Sequence, residues 1–281
     1  MSDWSRNGQP VDTVAIDDRA FQYGDGLFET VAIRDGQPRL WPRHLERLAR
    51  GCGCLGIDLP DIAALSRWIQ EALWRSAEDP SYCIAKIVVS SGAAQRGYGR
   101  ERRLAAETYV GIYPGARQAS HHYRDGVDTV VCDTRLALHS VTAGLKTLNR
   151  LEQVLAGSER IVRGAFEGLT LDADGRLICG TMSNVFIVSG NRVMTPALQR
   201  CGVAGVMRAH AIESLQRDGI TVDVCDVAVA DLWAADEVFL ANSQFGVLPV
   251  RRCDERVWHA HPVTARVMSI LASHGIEECA L

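Results

Sequence analysis

The sequence predicts an α+β fold in two domains, and three observations carry that expectation. Strand patterns dominate both halves of the chain. The helices among them are too irregularly spaced for a doubly wound or eightfold α/β barrel arrangement. A polar stretch, Pro114-Gly-Ala-Arg-Gln-Ala-Ser-His-His-Tyr-Arg-Asp-Gly126, separates two apolar strands near the middle. The length of 281 residues accommodates two domains of about 140 residues each. The boundaries expected are 1–113 for an N-terminal α+β domain, 114–126 for a linker and 127–281 for a C-terminal α+β domain.

Taken in order, Glu29-Thr-Val-Ala-Ile-Arg34 reads as a strand that meets an Asp35-Gly36 turn, with a second short strand at 38–41. Leu45, Leu48, Cys52 and Leu55 recur at spacings of three and four and predict a helix over 43–55. Ile62, Leu65, Trp68, Ile69 and Leu73 predict another over 61–76. A strand at 84–90, a loop holding Gly92, Gly97 and Gly99, and a strand at 108–113 close the first half. The second half opens with a strand at 127–132 and a helix at 149–163. Two hairpins follow, turned by Asp172-Ala-Asp-Gly175 and by Ser189-Gly-Asn191. A helix at 206–217, strands at 221–225, 237–241 and 247–251, and a closing helix at 263–274 complete the chain.

Composition excludes several classes of function. The net charge of −4 leaves no basic footprint for nucleic acid. No apolar run approaches the roughly 18 residues that span a bilayer, so no membrane partner is expected, and the first residues carry no apolar signal core. Nine cysteines is an odd number at scattered spacings, which points to free thiols and a reduced, soluble, cytoplasmic protein. Cys52-Gly-Cys54 reads as a pair of small buried thiols within a helix. His121-His122 and His259-Ala-His261 sit in polar loops and read as solvated, so no metal site is expected. Gly24-Asp-Gly26 lacks the third glycine and the helix of a dinucleotide fingerprint.

Three features call for chemistry. Gly202-Val-Ala-Gly205-Val-Met-Arg208 runs into a helix, where glycines and unpaired N–H groups suit an anion. Arg47, in His44-Leu-Glu-Arg47-Leu, carries a guanidinium that matches phosphate. Lys146, in Ala143-Gly-Leu-Lys-Thr-Leu-Asn149, sits among small and apolar neighbours, surroundings that lower a lysine's pKa and favour a Schiff base. Each also has a plain structural reading when taken alone.

Together with Asp18-Arg19, Tyr23-Gly-Asp-Gly-Leu-Phe-Glu-Thr30, Thr181-Met-Ser-Asn-Val-Phe186 and Ala241-Asn-Ser243 ahead of Val247-Leu-Pro-Val250, these segments resemble, in order and over essentially the whole chain, the fold-type IV pyridoxal-phosphate enzymes. That family includes branched-chain and D-amino-acid aminotransferases and 4-amino-4-deoxychorismate lyases. Lys146-Thr-Leu-Asn-Arg-Leu-Glu-Gln-Val154 and Ser91-Gly-Ala-Ala-Gln-Arg-Gly-Tyr98 resemble the lyase forms of their segments. Before Ala143-Gly144, Leu138-His-Ser-Val-Thr142 lacks the proline associated with lyases.

The resemblance implies pyridoxal 5′-phosphate held between the domains, with Lys146 of the C-terminal domain as the Schiff-base residue. It pairs Arg47 with the phosphate, aided by the backbone N–H groups of Val206 and Met207 and by Asn242-Ser243. It also implies a homodimer whose partner lends a loop to the site. The implied reaction turns 4-amino-4-deoxychorismate into 4-aminobenzoate and pyruvate. Arg96 and Tyr98 are the loop residues for the substrate's carboxylates, and Thr30 is a candidate for proton delivery. The alternatives are an aminotransferase acting on D- or branched-chain amino acids, and a cofactor-binding protein with impaired turnover.

One departure bears on that choice. The family normally carries a glutamate that hydrogen-bonds the pyridine nitrogen, and here Cys179 occupies its place. Neither Glu167 nor Asp172, before and within the hairpin turn, obviously replaces it. A thiol is a weak hydrogen-bond partner and does not stabilise a pyridinium as a carboxylate does.

Overall fold

The computed structural model describes residues 4–100, 104–138, 141–190 and 192–280. The chain divides into two compact units, Met1–Ala116 with Leu145–Asn149 and Arg117–Gly144 with Arg150–Leu281.

The first unit contains β1 (Trp4–Arg6), β2 (Gln9–Pro10), α1 (Arg19–Tyr23), β3 (Gly26–Arg34), β4 (Gln37–Pro38), α2 (Trp41–Leu55), α3 (Ile62–Arg75), β5 (Tyr82–Ser90) and β6 (Glu107–Pro114). Its strands form one antiparallel sheet in the order β2-β1-β6-β5-β3-β4. Alternation along β3 sends Leu27, Val31 and Ile33 into a core shared with Leu48 and Cys52 of α2, and with Leu65 and Ile69 of α3. Burying one such leucine is worth about 2 kcal/mol, so the apolar stripes of α2 and α3 hold both helices on that face. The strand expected at 38–41 is cut to Gln37–Pro38, because Leu40 turns left-handed (φ 52°) and Pro42 opens α2. Cys54 is exposed on α2, so of the two thiols only Cys52 is buried.

The second unit contains α4 (Ser120–Asp125), β7 (Val127–Leu136), α5 (Leu151–Val162), β8 (Glu167–Asp172), β9 (Arg176–Gly180), β10 (Asn184–Ser189), β11 (Arg192–Pro196), α6 (Val206–Arg217), β12 (Val222–Cys225), β13 (Val227–Ala228), α7 (Val229–Ala234), β14 (Glu237–Asn242), β15 (Gly246–Cys253), β16 (Arg256–Val257) and α8 (Pro262–Ser273). They build a mixed sheet in the order β12-β11-β10-β14-β15-β7-β8-β9-β13, with β16 on β15. The β11·β12, β15·β7 and β7·β8 pairs are parallel. Phe186 and Phe239 stack at the centre, their ring centroids 4.7 Å apart. Asn191 of the second expected hairpin lies outside the described residues, as do His139 and Ser140 ahead of Lys146.

Two parts of the expected domain layout are corrected. The stretch read as a linker holds α4, which Tyr123 anchors by burying its ring and donating its hydroxyl to the Phe245 carbonyl at 3.2 Å. The segment around Lys146, expected in the C-terminal domain, belongs to the first unit. It runs beside the start of β3, with Phe28 N–H donating to the Lys146 carbonyl and Leu148 N–H to the Gly26 carbonyl, both at 3.0 Å. Those backbone bonds assign the lysine to β3 despite its place in the chain order.

Candidate active site

In the first unit the chemistry gathers around β3. Phe28 and Thr30 alternate with the core-facing Leu27, Glu29 and Val31. The Lys146 ammonium lies 4.2 Å from the centroid of the Phe28 ring, and the Lys86 ammonium of β5 lies 3.7 Å from the same centroid. Lys86 stands opposite Thr30 in the β3·β5 register. Burial lowers the Lys86 pKa, while the Glu29 carboxylate pulls it back up. Lys86 was absent from the sequence reading. Its signal was a lone cation inside the apolar run Ile84-Ala-Lys-Ile-Val-Val89.

Behind β3, α2 supplies Arg47 and His44, one turn apart on the same helical face. Glu29, 1% exposed, binds both. Arg47 donates from Nε at 2.8 Å and from Nη2 at 2.5 Å, and the His44 Nδ1 lies 2.7 Å from the same carboxylate. Burial alone would raise the Glu29 pKa, yet the Arg47 and His44 hydrogen bonds and the Arg47 charge bring it down to about 2. Burial lowers the His44 pKa, so its ring is read as neutral, with the Nδ1 proton assigned to Glu29. Arg47 is thus oriented by Glu29 through its Nε and Nη2.

The expected substrate residues lie in the first unit as well. Arg96 and Tyr98 occupy the loop between β5 and β6. Both are exposed, and the Tyr98 ring meets that of Tyr23 edge-on at 5.5 Å.

In the second unit, the turn before α6 is built on a bridge between Gly144 and Val203, with Asn184 Nδ2 donating to the Val203 carbonyl at 3.0 Å. Gly205 is the α6 N-cap and brings no capping side chain, so the N–H groups of Val206 and Met207 open the helix without intrahelical partners. A Cβ on Gly205 would collide with Asn184 Oδ1, so only glycine fits there. Asn242 donates from Nδ2 to the Met182 carbonyl at 3.3 Å and uses its Oδ1 on its own turn. Its Oδ1 accepts from Gln244 N and Phe245 N at 2.8 and 2.9 Å, which positions Ser243 between β14 and β15.

Cys179, on β9, is 6% exposed and packs with Leu136, Ile178, Leu198 and Cys201. Its Sγ lies 3.5 Å from the Thr170 hydroxyl. Burial pushes the thiol pKa up to about 11, so it stays neutral. Glu167, fully buried, accepts from Gly168 N, Thr181 N and Oγ1, Met182 N and Ser183 Oγ. Those five donors saturate its oxygens and shape the turn 180–183, so Glu167 does not stand in for the missing glutamate.

The Amino-transferase class IV profile matches residues 26–253. The chain belongs to that family. The aminodeoxychorismate lyase of Vibrio harveyi is 38% identical over 244 residues, covering 87% of this chain and 89% of the relative. The crystal structure of 4-amino-4-deoxychorismate lyase from Pseudomonas aeruginosa superposes with a TM-score of 0.90 at 41% identity, covering 97% of this chain and 99% of that one. The D-alanine aminotransferase of Bacillus licheniformis is 25% identical over 271 residues, 95% of this chain and 93% of that protein.

The cofactor of class IV enzymes is pyridoxal phosphate, and the residues present fit it. Lys146, Lys86 and Arg47 are cationic side chains gathered around β3 in the first unit, chemistry suited to a phosphate dianion. Gly205 lets the turn pack against Asn184, and α6 then opens with the N–H groups of Val206 and Met207, donors suited to an anion. The exception is Cys179, whose neutral thiol offers no charge to a ring nitrogen.

Proposed function

We propose that the chain is a pyridoxal-phosphate-dependent lyase that converts 4-amino-4-deoxychorismate into 4-aminobenzoate and pyruvate. The observation that carries the reading is Lys146 and Lys86 both packed against the Phe28 ring, with Thr30 opposite Lys86, in a chain 38–41% identical to lyases over nearly its full length. When bound, the cofactor acidifies the C–H beside the substrate's amine. Lys146 takes that proton. The C–O bond to the enolpyruvyl group breaks, the ring becomes aromatic, and the departing enol receives a proton to become pyruvate. Thr30 and Lys86 line the face from which that second proton is delivered. The proposed phosphate residues are Arg47, oriented by Glu29, in the first unit, and the N–H groups of Val206 and Met207 with Asn242 and Ser243 in the second. Arg96 and Tyr98 receive the substrate's carboxylates.

The neutral Cys179 thiol favours the lyase over a transaminase. Aromatisation supplies driving force that a transaminase lacks, so a weaker electron sink is tolerable. The deciding experiment incubates the cofactor-loaded protein with 4-amino-4-deoxychorismate and follows 4-aminobenzoate. Absence of product refutes the lyase, and amino transfer that depends on a keto acid establishes the aminotransferase instead. Lys146→Ala removes the absorbance band that depends on a covalent link between the lysine amine and the cofactor, and borohydride no longer fixes cofactor to the chain.

A cytoplasmic homodimer is part of the same proposal. Leu151, Val154, Leu155, Ile161 and Val162 fall at helical spacing on α5, each more than half exposed, an apolar stripe suited to a second copy of the chain. All nine cysteines carry free thiols, which supports a reducing compartment.

A further inference from the structure

The loop joining β5 to β6 contains neither helix nor strand over 91–100, and its side chains at 95–99 face solvent. Such a loop ordinarily moves. This one is fastened from beneath at its exposed tip by a buried side chain. Arg19, at the start of α1, has a side chain only 4% exposed. Its Nε donates to Asp25 Oδ2 at 2.8 Å, its Nη1 to the Gly97 carbonyl at 2.9 Å and its Nη2 to the Tyr98 carbonyl at 2.7 Å. The guanidinium also lies 5.0 Å from the centroid of the Tyr23 ring, and the Tyr23 hydroxyl accepts from Gly97 N–H at 3.4 Å.

Asp25 ties residues on either side of that tip to the same point. It accepts from Ser91 Oγ at 2.8 Å and from Arg100 Nη2 at 3.0 Å, and Arg100 in turn donates to the carbonyls of Leu55 and Gly56. Gly97, at φ +134°, allows the carbonyls of residues 97 and 98 to converge on one fork.

Burying a guanidinium is expensive unless its donors are spent, and here three are spent, two of them on the backbone of an exposed loop. Lysine cannot reproduce this, because an ammonium is a point charge without the planar fork that spans two carbonyls. The part of the loop so fixed carries Arg96 and Tyr98 outward on either side of Gly97.

We propose that Arg19 is a positioning residue: it presets the backbone of residues 96–98, so that Arg96 and Tyr98 meet the substrate's carboxylates without first being ordered. This rests on the reading of Arg96 and Tyr98 given under the proposed function. The gain is in binding, since preorganisation removes an ordering cost and leaves the chemical step at Lys146 untouched.

The test compares wild type with Arg19→Lys, Arg96→Ala and the double variant in the cofactor-loaded protein. Amide hydrogen exchange over 92–99 reads the loop directly. KM and kcat are read on whichever amino substrate the wild type consumes, so failure of the lyase reading leaves this experiment intact. Arg19→Lys is expected to speed exchange at Gly97 and Tyr98 at least about tenfold and to raise KM by about tenfold. Over the same change, kcat stays within about threefold and the cofactor absorbance is unaltered. In the double variant KM rises by less than the product of the two single effects, because part of what Arg19 supplies acts through Arg96. Should Arg19→Lys fold poorly, Asp25→Asn loosens the same fork and gives the same split. Faster exchange with an unmoved KM, additive KM effects, or a parallel fall of kcat and absorbance overturns the proposal.

Discussion

Replacing Glu29 with glutamine tests the centre of the first unit. The substitution keeps the shape and removes the charge that faces Arg47 and His44. Glu29 titrates at about 2 against an ordinary 4.5. At roughly 1.36 kcal/mol per decade of proton affinity, that difference places about 3 kcal/mol of folding stability on the ionised carboxylate. A similar loss is expected when one partner of a buried pair is deleted, because Arg47 is left facing a neutral amide. The folded pKa lies below the unfolded one, so the contribution is complete above the unfolded value and disappears as pH falls through the window from 4.5 to about 2. The stability difference between wild type and Glu29→Gln is therefore about 3 kcal/mol at pH 7 and about half that at pH 3. Guanidinium unfolding of the cofactor-free proteins measures it. Tryptophan emission is a suitable probe, because Trp4, Trp41, Trp68 and Trp74 all report from the first unit. A difference under about 1 kcal/mol at pH 7, or one that does not change with pH, would refute the reasoning.

The remaining expectations concern single sites. Gly205→Ala forces a Cβ into Asn184 Oδ1 and shifts the start of α6, so cofactor affinity drops at least about tenfold in a spectroscopic titration while α6 still forms. Thiol titration of the native protein at pH 8 modifies the exposed Cys54 first. Cys179, with its pKa pushed up to about 11 by burial, reacts only on unfolding, and early alkylation there contradicts its neutral, enclosed state. Val154→Asp places a charge in the α5 stripe and shifts the sedimentation profile toward monomer. An unchanged profile removes that face from any interface.

Where local pattern decides the outcome, the sequence was readable. The helix expected over 206–217 is α6 residue for residue, because a glycine N-cap and the change of periodicity at Val206 both lie in the local chain. Strand β3 was recognised but its reach was not. Gly26 to Phe28 pair with Val88 to Ser90 on one side and with the Lys146 segment on the other, and no local signal encodes either partner. The same limit explains the site residues. Arg47 and Lys146 stood out by chemical type. Glu29 looked like one polar residue in an apolar strand, and its meaning came only when α2 laid His44 and Arg47 over it. Cys179 drew notice because it departs from a pattern, yet its company of Leu136, Leu198 and Cys201 comes from two other stretches of chain. Arg19 was visible only as part of a motif, since the carbonyls it binds lie almost eighty residues away.

The place of Lys146 beside β3 also has a consequence for the order in which the protein is made. All six strands of the first unit's sheet have been translated by Pro114, and a domain that folds as a unit can close around them. The lysine is then still about thirty residues from synthesis, and the edge at Gly26 to Phe28 waits for it. A fragment ending near residue 116 would thus carry Arg47, Glu29 and His44 and lack the Lys146 segment that borders β3.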